Sequence, residues 1–206
     1  MLGRSNYDDV LRDAWSRTSL PNLNMLATNS GGTVGTGAKE LAIRMIDRDC
    51  AVDFGSRTVR YADSRGGEVS QHLQILILHY IEGSGKAQLA NRLVTFREFE
   101  GGSIYYPAFK ARAIDPLVKE FGQKPDLLKH IGDAFRAEPI QVGTVSFRAH
   151  FFPKMPIAVV FWQGDEEVAS SANVLFDASA GRILPTEDLS LVGGTFARRL
   201  IQLART

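Results

Sequence analysis

Residues 153–177, PKMPIAVVFWQGDEEVASSANVLFD, set two apolar stretches on either side of a Gly-Asp-Glu-Glu tip that follows Trp162. Two such stretches around a polar, turn-forming tip are satisfied together when the chain folds back on itself as a hairpin. One strand is therefore expected over 157–162 and its partner over 168–176, turning near Gly164-Asp165. A hairpin this apolar needs further strands or helices to cover it, so it constrains the rest of the chain to supply a sheet and a packed layer.

The remaining pattern supplies both. Val10, Leu11, Ala14 and Trp15 recur at helical spacing and predict a helix over 7–18, broken near Leu20-Pro21, before a short helix over 23–27. Residues 28–38 are rich in Gly, Ser and Thr and read as a flexible loop. Short β-compatible runs at 41–46, 50–54 and 58–61 alternate with polar turns, as in an antiparallel meander. The run VSQHLQILILHYIE at 69–82 predicts a helix buried on most sides, closed at Gly83-Ser84-Gly85 by glycine in the left-handed conformation.

LVTFREF at 93–99 alternates as a strand does. Phe109, Ala113, Leu117 and Phe121 repeat every fourth residue as a core stripe, with Asp115-Pro116 as a cap and first helical position inside one kinked helix or between two short ones. A helix over 125–135, strand composition over 142–152 and a last helix over 187–204, opened by Pro185-Thr186 and the acids Glu187 and Asp188, complete the reading. The fold class expected is α+β: a single domain over 1–206 with a largely antiparallel sheet and packed helices.

Composition narrows the function classes. With 24 Lys+Arg against 23 Asp+Glu in 206 residues, the net charge is +1, which gives no broad footprint for nucleic acid or acidic membrane. No apolar run reaches the roughly 18 residues that would span a bilayer, and the N-terminal stretch meets acids before any signal-length apolar segment, so a cytoplasmic protein is expected. The single cysteine, Cys50, provides neither a disulfide framework nor the thiolates of an iron–sulfur cluster or cysteine-rich zinc site, and its apolar surroundings read as core.

Several stretches taken together carry a resemblance: LILHY at 76–80, VTFREFEGGSIYYPAF at 94–109, PLVKEFG at 116–122, FFPKMPIAVVFWQGDEE at 151–167, and NVLFD followed by ILPTEDL. In order and spacing they resemble the prokaryotic domain-of-unknown-function 3786 family over most of the chain. That resemblance implies an uncharacterised family met mainly in anaerobic bacteria and archaea, with some relatives fused to a cysteine-rich iron–sulfur segment, and hence a link to anaerobic redox or one-carbon metabolism. This chain departs from those relatives in having Cys50 alone. A cluster would have to sit on a partner.

Among the residues that carry chemistry, Arg97, Gly101, Gly102, Tyr105 and Tyr106 combine a cation, glycines that admit a ligand to the backbone, and aromatic surfaces ahead of a helix start, which suits an anion or planar cofactor. Their plainer reading is a strand-to-helix turn with tyrosines in the core. Arg112 and His79 join them only if their helices face one pocket. The acids Asp165, Glu166 and Glu187, with Asp177 and Asp188, are the alternative: a hard-cation site, or a general acid whose pKa rises against Trp162. Turn geometry and helix-dipole preference explain the same acids without chemistry.

Other constellations fail on their chemistry. GGTVGTGAK at 31–39 spaces Gly32 and Gly37 as a phosphate-binding loop does, but Ala38 displaces Lys39 and Glu40 replaces the Ser or Thr. The four histidines form no HExxH pair, and Ser170, His150 and Asp177 lack a nucleophile elbow. The sequence thus points to a ligand-binding or accessory module whose cofactor is unknown and whose partner is an unknown small molecule or protein. A metal-assisted or acid-base enzyme and a purely structural interaction subunit are its alternatives.

Overall fold

A computed structural model of the chain describes residues 4–18, 22–37, 39–135 and 137–206, with the side chains of 4–6 and 134 outside the description. The expected break at Leu20-Pro21 and the displacing Ala38 lie outside the described residues. The α+β class holds, with two antiparallel sheets in place of the one expected. The chain divides into two compact units: Met1–Gln88 with Phe152–Lys154 and Arg182–Leu184, and Leu89–Phe151 with Met155–Gly181 and Pro185–Thr206.

The first unit contains α1 (Arg4–Arg17), α2 (Leu23–Ser30), strands β1 (Thr33–Val34), β2 (Glu40–Met45), β3 (Arg48–Asp53) and β4 (Thr58–Tyr61), and α3 (Gln71–Gly83). The strands pair in sequence order as an antiparallel meander. Alternation sets the register: Leu41 faces Val52 and Ile43 faces Cys50, all four buried on one side, while Arg44 and Asp49 pair on the other. Helix α3 buries Ile75, Leu76, Ile77, Leu78, Tyr80 and Ile81, the breadth its sequence predicts.

Two expectations for this unit change. The loop expected over 28–38 is partly ordered structure: Thr28 to Ser30 continue α2, and Thr33 and Val34 pair with Ala42 and Leu41. Gly31, at φ 70°, makes the left-handed turn between them. At the end of α3, by contrast, Ser84 is right-handed and neither Gly83 nor Gly85 has positive φ. Gly83 serves close approach instead, since a Cβ there would stand 1.9 Å from the Ile183 carbonyl oxygen.

The second unit holds a five-stranded sheet in the order β5-β9-β8-β7-β6, from β5 (Leu93–Thr95), β6 (Glu138–Pro139), β7 (Val145–Phe152), β8 (Met155–Trp162) and β9 (Ser171–Asp177). Its helices are α4 (Gly102–Phe109), α5 (Asp115–Phe121), α6 (Pro125–Ala134) and α8 (Thr186–Ala204), and the short α7 (Ala180–Ile183) begins in this unit and passes into the first at Arg182. The opening hairpin is present, with Ile157 opposite Phe176 and Trp162 opposite Ser171. Strand β8 is central, which is why MPIAVVF is buried on both faces and carries no alternation. Phe96, Phe99, Phe109 and Phe176 form the aromatic core, Phe96 and Phe109 stacked at 4.1 Å.

The strand expected over 93–99 stops after Thr95 and becomes a 3-10 turn, Phe96–Glu98, because the Glu98 carboxylate accepts the Thr95 N–H at 2.8 Å and draws the chain into a turn. From Gly102 to Phe121 the helix is continuous and includes a π-helical segment, Lys110–Ile114. Asp115-Pro116 therefore does not open a new helix. Widening just before Pro116 relieves the overlap a proline ring makes with the carbonyl four residues earlier. It also keeps the stripe inward: residues four apart drift by about 40° per step on a 3.6-residue helix, yet Phe109, Ala113, Leu117 and Phe121 are all 0 % exposed.

Candidate functional site

The segment from Arg97 to Tyr106 is built by three local devices. Glu98 closes the 3-10 turn, Gly101 at φ 69° reverses the chain, and Gly102 enters α4 so tightly that a Cβ would lie 2.2 Å from the Phe96 carbonyl oxygen. The glycines thus admit the chain's own backbone. The Arg97 guanidinium lies 3.7 Å from the Tyr106 ring centroid, a cation–π contact, and the Tyr105 hydroxyl donates to Glu187 Oε1 at 2.8 Å. That hydrogen bond to a carboxylate raises the Tyr105 pKa. The groups expected to receive a ligand are brought together, but largely to one another.

The acids do not converge. Asp165 Oδ1 accepts the N–H groups of Val168 at 2.8 Å and Glu167 at 2.9 Å, closing the tip of the β8–β9 hairpin. Those bonds hold its carboxyl below the usual range, opposite to the rise expected for a general acid beside Trp162. Glu187, in the first turn of α8, receives the Tyr105 hydroxyl, and Asp177 accepts from Ala90 N–H and from both the N–H and hydroxyl of Ser179. Among the described residues no group of three or more His, Cys, Asp and Glu side chains is placed to hold a metal ion.

A cavity of about 600 Å³ lies instead between the end of α5 and the connection from β8 to β9. Val118, Lys119, Gly122 and Gln123 form one wall, and residues 163–166 with Val168, Ala169 and Ser170 the other. The walls are fastened by Ser170: its hydroxyl accepts the Gly164 N–H at 2.9 Å and donates to the Gly122 carbonyl at 3.2 Å. Gly164 has no room for a side chain, since a Cβ would be 2.2 Å from the Val168 carbonyl oxygen. Ser170 and Asp165 are therefore committed to holding the loop. Lys119 and Gln123 on the first wall and Gln163 and Glu166 on the second make no side-chain hydrogen bond or ion pair among the described residues. Arg97, Tyr105 and Tyr106 line neither this cavity nor the other two described for the molecule.

The family model for the Domain of unknown function (DUF3786) matches residues 22–199. The chain belongs to that family. No curated protein and no solved structure matches it. Both walls of the cleft and the Arg97 to Tyr106 turn of this DUF3786 member fall inside the matched span, whereas Arg205 falls beyond it. Arg112 lines a separate cavity of about 400 Å³ in the second unit, and His79 belongs to the first unit, where its ring lies 3.3 Å from Arg17.

Sequence reasoning missed Lys119, Gln123 and Gln163. Each is an ordinary polar residue on an exposed turn of helix or loop, and only the spacing of the walls makes them a set. Among the described residues no helix is long and apolar enough to cross a membrane.

Proposed function

We propose that this DUF3786 domain is a binding module for a small zwitterion of dipeptide size, held in the cleft between α5 and the β8–β9 connection. One observation carries the reading: a cavity of about 600 Å³ whose side chains without a hydrogen bond or ion pair among the described residues include one ammonium, one carboxylate and two carboxamides. That volume lies within the range of small-molecule sites, roughly 300–1,000 Å³. Lys119 suits a ligand carboxylate, Glu166 its ammonium, and Gln123 and Gln163 the donor and acceptor of a peptide group. Val118, Val168 and Ala169 offer apolar surface to its side chains.

The loop is fixed before a ligand arrives, through Ser170 and Asp165, so little ordering entropy remains to oppose binding. A cytoplasmic setting belongs to the same proposal and rests on the absence of any disulfide framework, Cys50 being the sole cysteine. The test is titration of the ¹⁵N-labelled protein with L-alanyl-L-alanine. Saturable shifts are expected at the amides of Gly122, Gln123, Gly164 and Ser170, weakened about tenfold by Lys119→Met or Glu166→Gln, each charge contact being worth on the order of 1–2 kcal/mol. N-acetylation or esterification of the dipeptide should weaken binding as the matching substitution does. If blocked and free dipeptides bind alike, or neither shifts these amides, the reading is wrong.

A further inference from the structure

On the opposite side of the chemistry from a zwitterion, the second unit gathers three guanidinium groups around one hollow. The cavity of about 400 Å³ is lined by Arg112, Pro116, Arg198, Ile201, Gln202 and Arg205, with no acid among them. Along α8 and its C-cap, residues 194, 198, 201 and 205 follow one another at helical spacing, so Gly194, Arg198, Ile201 and the cap residue Arg205 form a single stripe. Gly194 is where that stripe meets the π-helical segment: a Cβ there would lie 3.3 Å from the Arg112 Cβ. Its neighbour Gly193 lets Phe109 approach more closely still, at 2.4 Å from an added Cβ. Two glycines and one π turn together bring Arg112 against α8, where its charge joins those of Arg198 and Arg205.

Like charges gathered on one hollow repel, and a surface without a use for them disperses or neutralises them. Only Arg205 is neutralised here, by two bonds to Glu120. Arg112 and Arg198 have no acidic partner among the described residues. The hollow therefore keeps an excess of two positive charges, beside the apolar surfaces of Pro116 and Ile201. Guanidinium is weakly hydrated and binds oxyanions through paired N–H donors. A carboxylate is satisfied by one such fork, whereas a phosphoryl group has oxygens enough for two converging from different helices. π-Helical turns also recur at functional sites, because they redirect one side chain out of the regular helical order.

We infer that this hollow is a binding site for a phosphoryl anion, engaged by Arg112 and Arg198 with Arg205 held alongside by Glu120. The site is independent of the zwitterion cleft: the two share no lining residue.

Pyrophosphate titrated into the purified protein, followed by calorimetry at low ionic strength, tests it. Saturable binding is expected, weakened at least tenfold in R112Q/R198Q and unchanged in K129M, an exposed lysine of α6 that lines neither cavity. Both guanidiniums are exposed, so the double variant should keep its melting temperature in the absence of ligand. Glu120→Gln, which frees Arg205, should tighten binding severalfold, a response that a merely structural role for these arginines would not give. No saturable binding to the wild-type protein, equal binding by wild type and R112Q/R198Q, or tighter binding of citrate than of pyrophosphate overturns the assignment.

Discussion

The Tyr80 hydroxyl donates to the Ser30 carbonyl at 2.7 Å, so that α3 and the end of α2 are tied through a side chain that is 0 % exposed. The same oxygen accepts the Lys154 N–H at 3.0 Å, while the ring stacks on Phe152 at 4.1 Å. Burial drives the phenol pKa upward, which keeps it protonated and able to donate at neutral pH. Tyr80→Phe keeps the stacking and orphans both backbone groups. Chemical denaturation should show a loss of about 1–3 kcal/mol, the cost of leaving buried polar groups unpaired; a loss under half a kcal/mol would mean that water replaces the hydroxyl.

Gly83 and Gly102 should tolerate no side chain, although both have ordinary negative φ or helical backbone. A Cβ at either would overlap a carbonyl oxygen, of Ile183 at 1.9 Å or of Phe96 at 2.2 Å. Backbone cannot rotate away as a side chain end can. Gly83→Ala and Gly102→Ala should each cost about 3 kcal/mol, the upper end of overpacking, whereas Gly66→Ala, with nothing within 4 Å and only its φ of 62° to oppose it, should cost about 1 kcal/mol. Melting temperatures of the three variants give the comparison directly.

Asp63 should make the first unit acid-sensitive. Its carboxylate takes two bonds from Arg48, at 2.7 and 2.8 Å, and two more from Arg65, through its guanidinium and its backbone N–H. These hold its pKa far below the ordinary value, with the Arg48 bonds the main cause. A carboxyl whose folded pKa is depressed contributes stability that is fully present above the unfolded pKa, about 3.9, and is lost as pH falls toward the folded one. Urea midpoints should therefore fall below about pH 4 in the wild type, and Asp63→Asn should flatten that part of the profile while lowering the plateau at neutral pH.

Cys50 should be inert in the folded protein. It is 0 % exposed on β3, and burial pushes its thiol up to about 12, so thiolate is scarce at neutral pH. Alkylation by iodoacetamide at pH 8 should proceed at the rate of unfolding and accelerate with sub-denaturing urea. Labelling within minutes in native buffer would contradict both the burial and the shift.

Arg97 and Tyr106 should be coupled. A double-mutant cycle with Arg97→Gln and Tyr106→Leu should give an interaction of about 0.5–1 kcal/mol, typical of an exposed cation over a ring. A coupling near zero would release Arg97 as a free cation and revive the turn at Gly101-Gly102 as a ligand site.

Periodicity by itself determined the α+β class, the 41–61 meander, α3, α8 and the β8–β9 hairpin, because burial of an apolar face leaves a spacing in the chain that can be read without partners. Capping chemistry was legible less well. The Gly83-Ser84-Gly85 closure differs from its expected form because a glycine needed for φ and a glycine needed for clearance look identical in sequence; only the Ile183 carbonyl distinguishes them. The π-helical turn escaped notice for a related reason. Its trace, a repeat of four where 3.6 is usual, becomes meaningful only once all four stripe residues are seen buried together.

The two surfaces proposed to bind ligands belong to the tertiary structure alone. Helical spacing connects Arg198 with Arg205 and Lys119 with Gln123, but no local rule connects Arg112 to the first pair or Gln163 to the second. They become sets because Gly193 and Gly194 let two helices close and because Ser170 fastens a hairpin to the end of α5. Sequence records what each residue prefers, whereas a site depends on which preferences are brought within a few ångströms of one another.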